Sequence, residues 1–298
     1  MKNIKLDDLI TKLALPEQFI SYISLYLEPL AEIIHKQSHK HSIPVIGING
    51  SQGSGKTTAA IILKTILESQ YAHRVAILSI DDFYHTKAKR IKLAQSIHPL
   101  FITRGVPGTH DVNLALQTIN KLKNASETES VFIPRFDKAI DDRKPEKQWD
   151  KVEEPVTIII FEGWCVGAPP LEQHSLDEPI NNLEQIEDKN GIWRGALNQF
   201  LLQEYQVLFK QINWLLMLKA PSFELVYEWR LLQEQKLAKT LEPDIETETN
   251  LLNEHQLTHF IQHYQRLTEH CLLKIPALSD AIITLDAQHR MTDLQINK

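Results

Sequence analysis

Short, unbroken apolar runs alternate along this chain with segments whose apolar residues recur every three or four positions. Ile43–Ile48, Val75–Ile80, Val156–Phe161, Ile212–Leu218 and Ala281–Leu285 are the runs. They are too short for buried helices, rich in β-branched residues and lacking polar alternation, so they predict strands covered on both faces. Between them, Ile62, Leu63, Ile66 and Leu67 line one face of a helix starting at Lys56, and Leu114, Leu116, Ile119 and Leu122 line another behind Asp111 as N-cap. Leu197, Leu201, Tyr205 and Leu208 mark a third, Leu225, Trp229 and Leu232 a fourth behind Ser222. Leu257, Phe260, Ile261, Tyr264, Leu267 and Cys271 mark a last one, closed by Pro276. Strand and helix in alternation predict an α/β fold, a mainly parallel sheet with helices on both faces.

The remaining segments are read as additions to one domain spanning 1–298. Residues 1–40 carry helical spacing at Leu9, Ile10, Leu13, Phe19, Tyr22 and Leu25, divided by Pro16. Packing on the sheet and self-association are both open for them. Polar stretches at 83–110 and 170–192 read as insertions or long loops, 240–250 as an acidic, Thr-rich connection, and Val131–Ile133 as a brief strand ending at Pro134.

Composition narrows the class. Hydrophobic residues make up 43% of the 298, enough for a sizeable core. The net charge of −6, without a polybasic stretch, argues against nucleic acid as main partner. Two distant cysteines, Cys165 and Cys271, cannot form a disulfide framework. No apolar stretch is long enough to span a membrane, and Met1–Phe19 is too charged for a secretory leader, so the expected address is cytoplasmic. His35, His39 and His41 lack ligands to complete a metal set, and His255, His259, His263 and His270 share one helical stripe that reads as its wet face. The basic run Lys87, Lys89, Arg90 and Lys92 is a candidate electrostatic funnel.

The chemistry concentrates at Gly50-Ser51-Gln52-Gly53-Ser54-Gly55-Lys56-Thr57, followed by Thr58, which matches G-x-x-x-x-G-K-[ST] between a predicted strand and a predicted helix. Glycines there let backbone N–H groups curl round phosphate oxygens at a helix N-terminus; Lys56 would reach the β- and γ-phosphates and the Thr57 hydroxyl a Mg²⁺ ion. Asp81-Asp82 ends the second strand, at the sheet edge where α/β folds bind ligands, and a carboxylate there can accept a substrate hydroxyl proton. Glu162 ends the third strand, suited to Mg²⁺.

With GSQGSGKTT, SIDDFY, TRGVPGTHD, IPRFDKAIDDR and IIFEGW in place, the chain resembles the P-loop kinases related to uridine kinase, pantothenate kinase and phosphoribulokinase. EGWCVGA, NLEQIEDKNGIWRGALNQFL, LKAPSFELVYEWRLLQE and LSDAIITLD extend a likeness to the D-glycerate 3-kinase family over about Val45 to Asp286. The resemblance implies a P-loop NTPase three-layer sandwich, ATP and Mg²⁺ as cofactors, and a small hydroxyl acceptor, D-glycerate first. It implies Asp81 as general base and leaves Asp82 open between Mg²⁺ and substrate. It further implies Arg104, His110, Asp111, Arg135, Asp137, Lys138 and Arg143 near the acceptor, and Arg230 as the arginine that offsets charge on the transferring phosphoryl group. Arg104 is the first choice for the glycerate carboxylate. Another small acceptor, or an ATP-driven switch without one, is the alternative reading.

Overall fold

The computed structural model describes residues 4–16, 18–240 and 254–297. The connection read at 240–250 lies, except for its first residue, outside them. Six strands form the main sheet: β1 Val45–Gly50, β2 Val75–Ser79, β3 Ile158–Gly163, β4 Trp214–Lys219, β5 Ala281–Leu285 and β6 Met291–Ile296. Their order is β6-β5-β4-β1-β3-β2, parallel throughout except for β6, which runs antiparallel to β5. The first five coincide with the apolar runs. The last escapes notice in the sequence because only one of its six residues, Met291, is buried.

Two covered faces explain the unbroken apolar runs. Ile46, Ile48, Ile160, Leu216 and Leu218 point into one layer; Val45, Ile159, Phe161, Leu215 and Met217 point into the other. Against the first lie α1 (Glu28–Ser38) and α2 (Lys56–Tyr71), with Leu30, Ile34, Ile62, Leu63 and Ile66 fully buried. Part of the N-terminal segment is thus sheet covering. Short helix α3 (Lys87–Ser96) occupies the stretch read as a loop at 83–110, and α4 (Val112–Asn124), capped by Asp111, packs on the second face. On that face too lie α5 (Asn182–Glu187) and α6 (Ile192–Phe200). Helix α7 (Phe223–Thr240) lies beside α8 (Glu254–Leu278), and the inward side of α8 joins the second layer through Tyr264, Leu267 and Cys271. Val131–Ile133 pairs with Asp150–Val152 in a separate two-stranded ribbon, not in the main sheet. Among the described residues no helix is long and apolar enough to cross a membrane.

The polar stretch 170–192 is fastened down by buried charge. Asn181 caps α5 by accepting from the Glu184 N–H (3.0 Å); Glu184 is fully buried and pairs with Arg266 of α8 at 2.5 Å. Asp188 pairs with Arg194 of α6 at 3.0 Å, both nearly inaccessible. Removing one partner of such a pair strands a charge and typically costs about 3–5 kcal/mol. These pairs explain how a segment poor in apolar residues is held against the helices beside it.

The histidine stripe on α8 is only partly wet. His259 meets Glu187 at 2.6 Å and His270 the Pro169 carbonyl at 3.1 Å, but His263 is 3% exposed and lies edge-on to Trp193. The side chain of His255 is outside the described ones. His263 donates from Nδ1 to the His259 carbonyl (3.0 Å), and its Nε2 is buried without a partner, so the ring is neutral there. Burial pushes its pKa down from 6.5 to about 4. The unfolded chain therefore takes up this proton first, and the stability contributed by neutral His263 is fully present above about pH 6.5 and is lost as pH falls toward 4. Unfolding free energy should decline across this window, and His263→Phe should flatten the decline in urea melts at pH 7, 5.5 and 4.5. An unchanged slope in the variant would remove His263 as its source.

Candidate active site

Register brings the chemistry to one edge. Glu162 of β3 pairs with Ile48 of β1 on one side and with Ser79 of β2 on the other, so the ends of three strands converge there. The Gly50–Gly55 turn leaves β1 and runs into α2. Gly53 and Gly55 take positive φ, 78° and 83°, which a side chain would strain, while a Cβ on Gly50 would stand 2.4 Å from the Ser54 hydroxyl. The first helical bond of α2 runs from the Ala59 N–H to the Gly55 carbonyl at 2.8 Å, so the amides of Lys56, Thr57 and Thr58 have no helical acceptor. Ser51 and Ser54 have buried hydroxyls without partners.

A cavity of about 330 Å³ opens in front of this turn. Gln52, Gly53, Gly55, Lys56, Thr57 and Thr58 form its floor, Asp81 and Tyr84 one side, and Arg104, Lys138 and Arg230 supply cations from three further elements. Trp164, Phe260 and Tyr264 complete it. The Tyr264 hydroxyl donates to the Arg104 carbonyl (3.0 Å) and the Trp164 ring N–H to the Gly105 carbonyl (3.0 Å), so two aromatic walls grip the backbone that carries Arg104. The Arg230 guanidinium lies 6.0 Å from the centre of the Phe260 ring.

Three carboxylates distinguish themselves by their surroundings. Glu162 is 2% exposed; its Oε1 accepts from the Thr57 hydroxyl at 2.9 Å and its Oε2 is buried without a partner. Burial, with Asp81 adding to it, raises its pKa against the pull of Lys56 and of hydrogen bonds from Thr57 and Ser79. A hydroxyl beside a carboxylate with a spare oxygen is a donor set suited to Mg²⁺. For Asp81, partial withdrawal from water alone would raise the pKa. The charges of Lys138 and Lys56 and hydrogen bonds from Lys138 (2.8 Å) and the Tyr84 hydroxyl (2.7 Å) overcome this and hold the carboxyl well below the usual carboxylate range.

Asp82 faces elsewhere. It accepts from Arg135 at 2.6 Å and from the Phe136 N–H at 3.2 Å, while Arg135 also holds Asp150 at 2.7 Å. Neither Asp82 nor Arg135 lines the cavity. Asp82, read as open between Mg²⁺ and substrate, and Arg135, read near the acceptor, here form an ion pair that joins the end of β2 to the ribbon.

Of the seven residues expected near the acceptor, Arg104 and Lys138 line the cavity. His110 is 1% exposed, stacks on Tyr84, and has Nδ1 2.5 Å from the Tyr205 hydroxyl; burial lowers its pKa to about 3. Asp111 caps α4 and accepts from Arg143 at 3.2 Å, and Arg143 also donates to the Tyr84 carbonyl at 2.9 Å. Asp137 accepts from the N–H groups of Ala139 and Ile140 in its own turn. These four hold the cavity wall from behind. Arg90 of the basic run is likewise not a funnel: it is 1% exposed, with bonds to the carboxylate of Asp141 (2.8 Å) and the carbonyl of Ile102 (2.7 Å).

The aromatic wall carries no signal of a site in the sequence. Phe260 and Tyr264 sit four apart on an apolar stripe, which reads as core, and Trp164 stands out only as part of a motif. Asp141, which pairs with both Arg104 and Arg90, carries no sequence signal beyond a turn.

A parallel sheet ordered β2-β3-β1-β4-β5, a phosphate-binding turn after β1, and carboxylates ending β2 and β3 define a P-loop kinase. Residues 45–167 match the phosphoribulokinase/uridine kinase family. A Schizosaccharomyces pombe protein described as uncharacterized kinase mug58 is 32% identical over 258 residues, 82% of this chain and 87% of that protein. The chloroplastic D-glycerate 3-kinase of Arabidopsis thaliana is 30% identical over 197 residues, 64% of this chain but 41% of the plant protein. In three dimensions, D-glycerate 3-kinase from Cryptococcus neoformans superposes with a TM-score of 0.75 at 26% identity, covering 91% of this chain and 99% of that one. The chain belongs to the phosphoribulokinase/uridine kinase family, as an ATP-dependent kinase related to D-glycerate 3-kinase.

Gly105 is the tightest point of the wall, with φ +132° and a virtual Cβ 1.9 Å from the Tyr264 hydroxyl. Gly105→Ala should push Tyr264 off the Arg104 carbonyl, costing about 1–3 kcal/mol in urea unfolding and lowering kinase turnover. Wild-type stability and turnover in this variant would show that the Tyr264 contact does not shape the cavity.

Proposed function

We propose that this kinase transfers the γ-phosphoryl group of ATP to a hydroxyl of D-glycerate, giving 3-phosphoglycerate. The observation that carries the reading is a cavity of about 330 Å³ in which Arg104, Lys138 and Arg230 join Lys56 around Asp81. Such a site suits a small anionic hydroxy acid placed next to the phosphates of ATP. The two relatives described as D-glycerate 3-kinases support the acceptor.

The roles follow from position. Lys56 and the open amides at the start of α2 would hold the β- and γ-phosphates. Thr57 and Glu162 would hold Mg²⁺, which supplies charge neutralisation between the β- and γ-phosphates when bound. Asp81 would accept the acceptor hydroxyl proton and aim the oxygen at the γ-phosphorus. Arg104 would pair with the glycerate carboxylate, for which a guanidinium has bidentate geometry. Arg230 would stabilise the charge that spreads over the transferring phosphoryl oxygens.

The test is ADP release with Mg²⁺ and ATP, comparing D-glycerate, L-glycerate and no acceptor. Sustained turnover should require D-glycerate. Asp81→Asn should lower kcat by about 10²–10⁴-fold with ATP affinity retained. Turnover with another hydroxy acid and not with glycerate would move the acceptor; full activity in Asp81→Asn would sink the base mechanism and favour an ATP-driven switch.

A further inference from the structure

The two oxygens of Asp81 are held by unlike partners. Oδ1 accepts from the hydroxyl of Tyr84, a side chain 3% exposed and stacked on His110. Oδ2 accepts from Lys138, whose side chain is 61% exposed. The first partner is fixed by packing, the second is a long cation at the rim. Lys138 stands on the tip between the paired segments Phe136–Asp137 and Asp142–Arg143, and the same tip carries Asp141, the partner of Arg104. Both Lys138 and Arg104 line the cavity, so an acid entering it meets two cations already paired with protein carboxylates.

Each of those carboxylates keeps a partner if its cation turns away. Asp141 retains Arg90, 2.8 Å away and buried, and Asp81 retains Tyr84. An exchange of partners at the rim therefore strands no charge in the interior, and partly exposed ion pairs are cheap to exchange.

We infer that Lys138 is an acceptor-operated gate on Asp81: it holds the carboxylate in the absence of acceptor and moves to the carboxylate of the incoming hydroxy acid. The inference rests on the proposed reaction with an anionic acceptor. With Lys138 turned away, Asp81 is freed for the hydroxyl proton. The acceptor oxygen then forms its bond to the γ-phosphorus, the bond between that phosphorus and the β,γ-bridging oxygen breaks, and ADP departs with the electron pair; the proton on Asp81 later passes to water. A carboxyl held far down in the acid range is a poor proton acceptor, so loosening its cation assists the step. Without an acid in the cavity, Asp81 stays occupied and is withheld from water. Lys138 is thus a positioning residue that couples recognition of the acid to readiness of the base, and it limits idle ATP hydrolysis.

The experiment compares wild type, Lys138→Met and Lys138→Arg, with thermal unfolding as a folding check, on D-glycerate, on its uncharged methyl ester and on no acceptor. The wild-type preference in kcat/KM for the acid over the ester should shrink by about 10–100-fold in Lys138→Met, the range of a lost charged hydrogen bond. Acceptor-free ATP hydrolysis should rise several-fold, and Lys138→Arg should recover most of the preference. An unchanged preference overturns the inference. So does a reduced preference without any rise in hydrolysis, which leaves Lys138 a simple substrate cation. A wild-type protein that phosphorylates no hydroxy acid overturns the proposed function itself and the gate with it, an outcome separate from either failure in the variant.

Discussion

Glu162 is a carboxylate almost without access to water at the end of a central strand, and such a group is stable only where the surroundings answer its charge. Here the answer comes from the Thr57 hydroxyl at 2.9 Å and from the field of Lys56, both on the first turn of the helix that follows the glycine-rich turn. That contact ties β3 to the start of the helix that follows the phosphate-binding turn. β2 ends beside β3, so the same register carries Asp81 to the rim within the influence of Lys56. The remaining oxygen of Glu162 is buried without a hydrogen-bond partner.

Around this floor, charged residues do two different jobs. Arg104, Lys138 and Arg230 face the cavity; Arg90, Arg135 and Arg143 are consumed in ties to Asp141, Asp82 and Asp111. The ties are not idle. Arg90 positions Asp141, which positions Arg104; Arg143 holds the Tyr84 carbonyl, and the Tyr84 hydroxyl holds Asp81. A buried ion pair is weak evidence for net stability but effective at holding one geometry against alternatives, provided its partners are satisfied.

The far wall is aromatic and comes from late in the chain. Phe260 and Tyr264 on α8 and Trp164 after β3 close the cavity opposite the phosphate turn. Tyr264 and Trp164 anchor to consecutive backbone carbonyls at 104 and 105, so the last helix is tied to the segment that carries Arg104. The polar atoms of the Tyr264 and Trp164 rings find partners in the backbone, as buried Tyr and Trp require.

The sequence alone determined the α/β class, five of the six main strands and the phosphate turn, because each is written locally: an apolar run with no alternation, glycines at fixed spacing, a lysine and threonine at a helix start. It also singled out Asp81, Glu162, Arg104 and Arg230, since strand ends and motif positions carry those. It put Arg104 first but kept Arg135 and Arg143 beside it, because an arginine that lines a cavity and one tied to a carboxylate outside it are alike until their partners, 15 to 53 residues away for Arg135 and 32 for Arg143, are known. His263 looked wet and is buried because Trp193, seventy positions earlier, packs against it. Phe260 and Tyr264 read as core and do pack there, but they also line the cavity, which no local pattern marks. Tertiary structure decided these points: the neighbours that settle a side chain's task are distant in sequence, and their identity is a property of the fold and not of any local pattern.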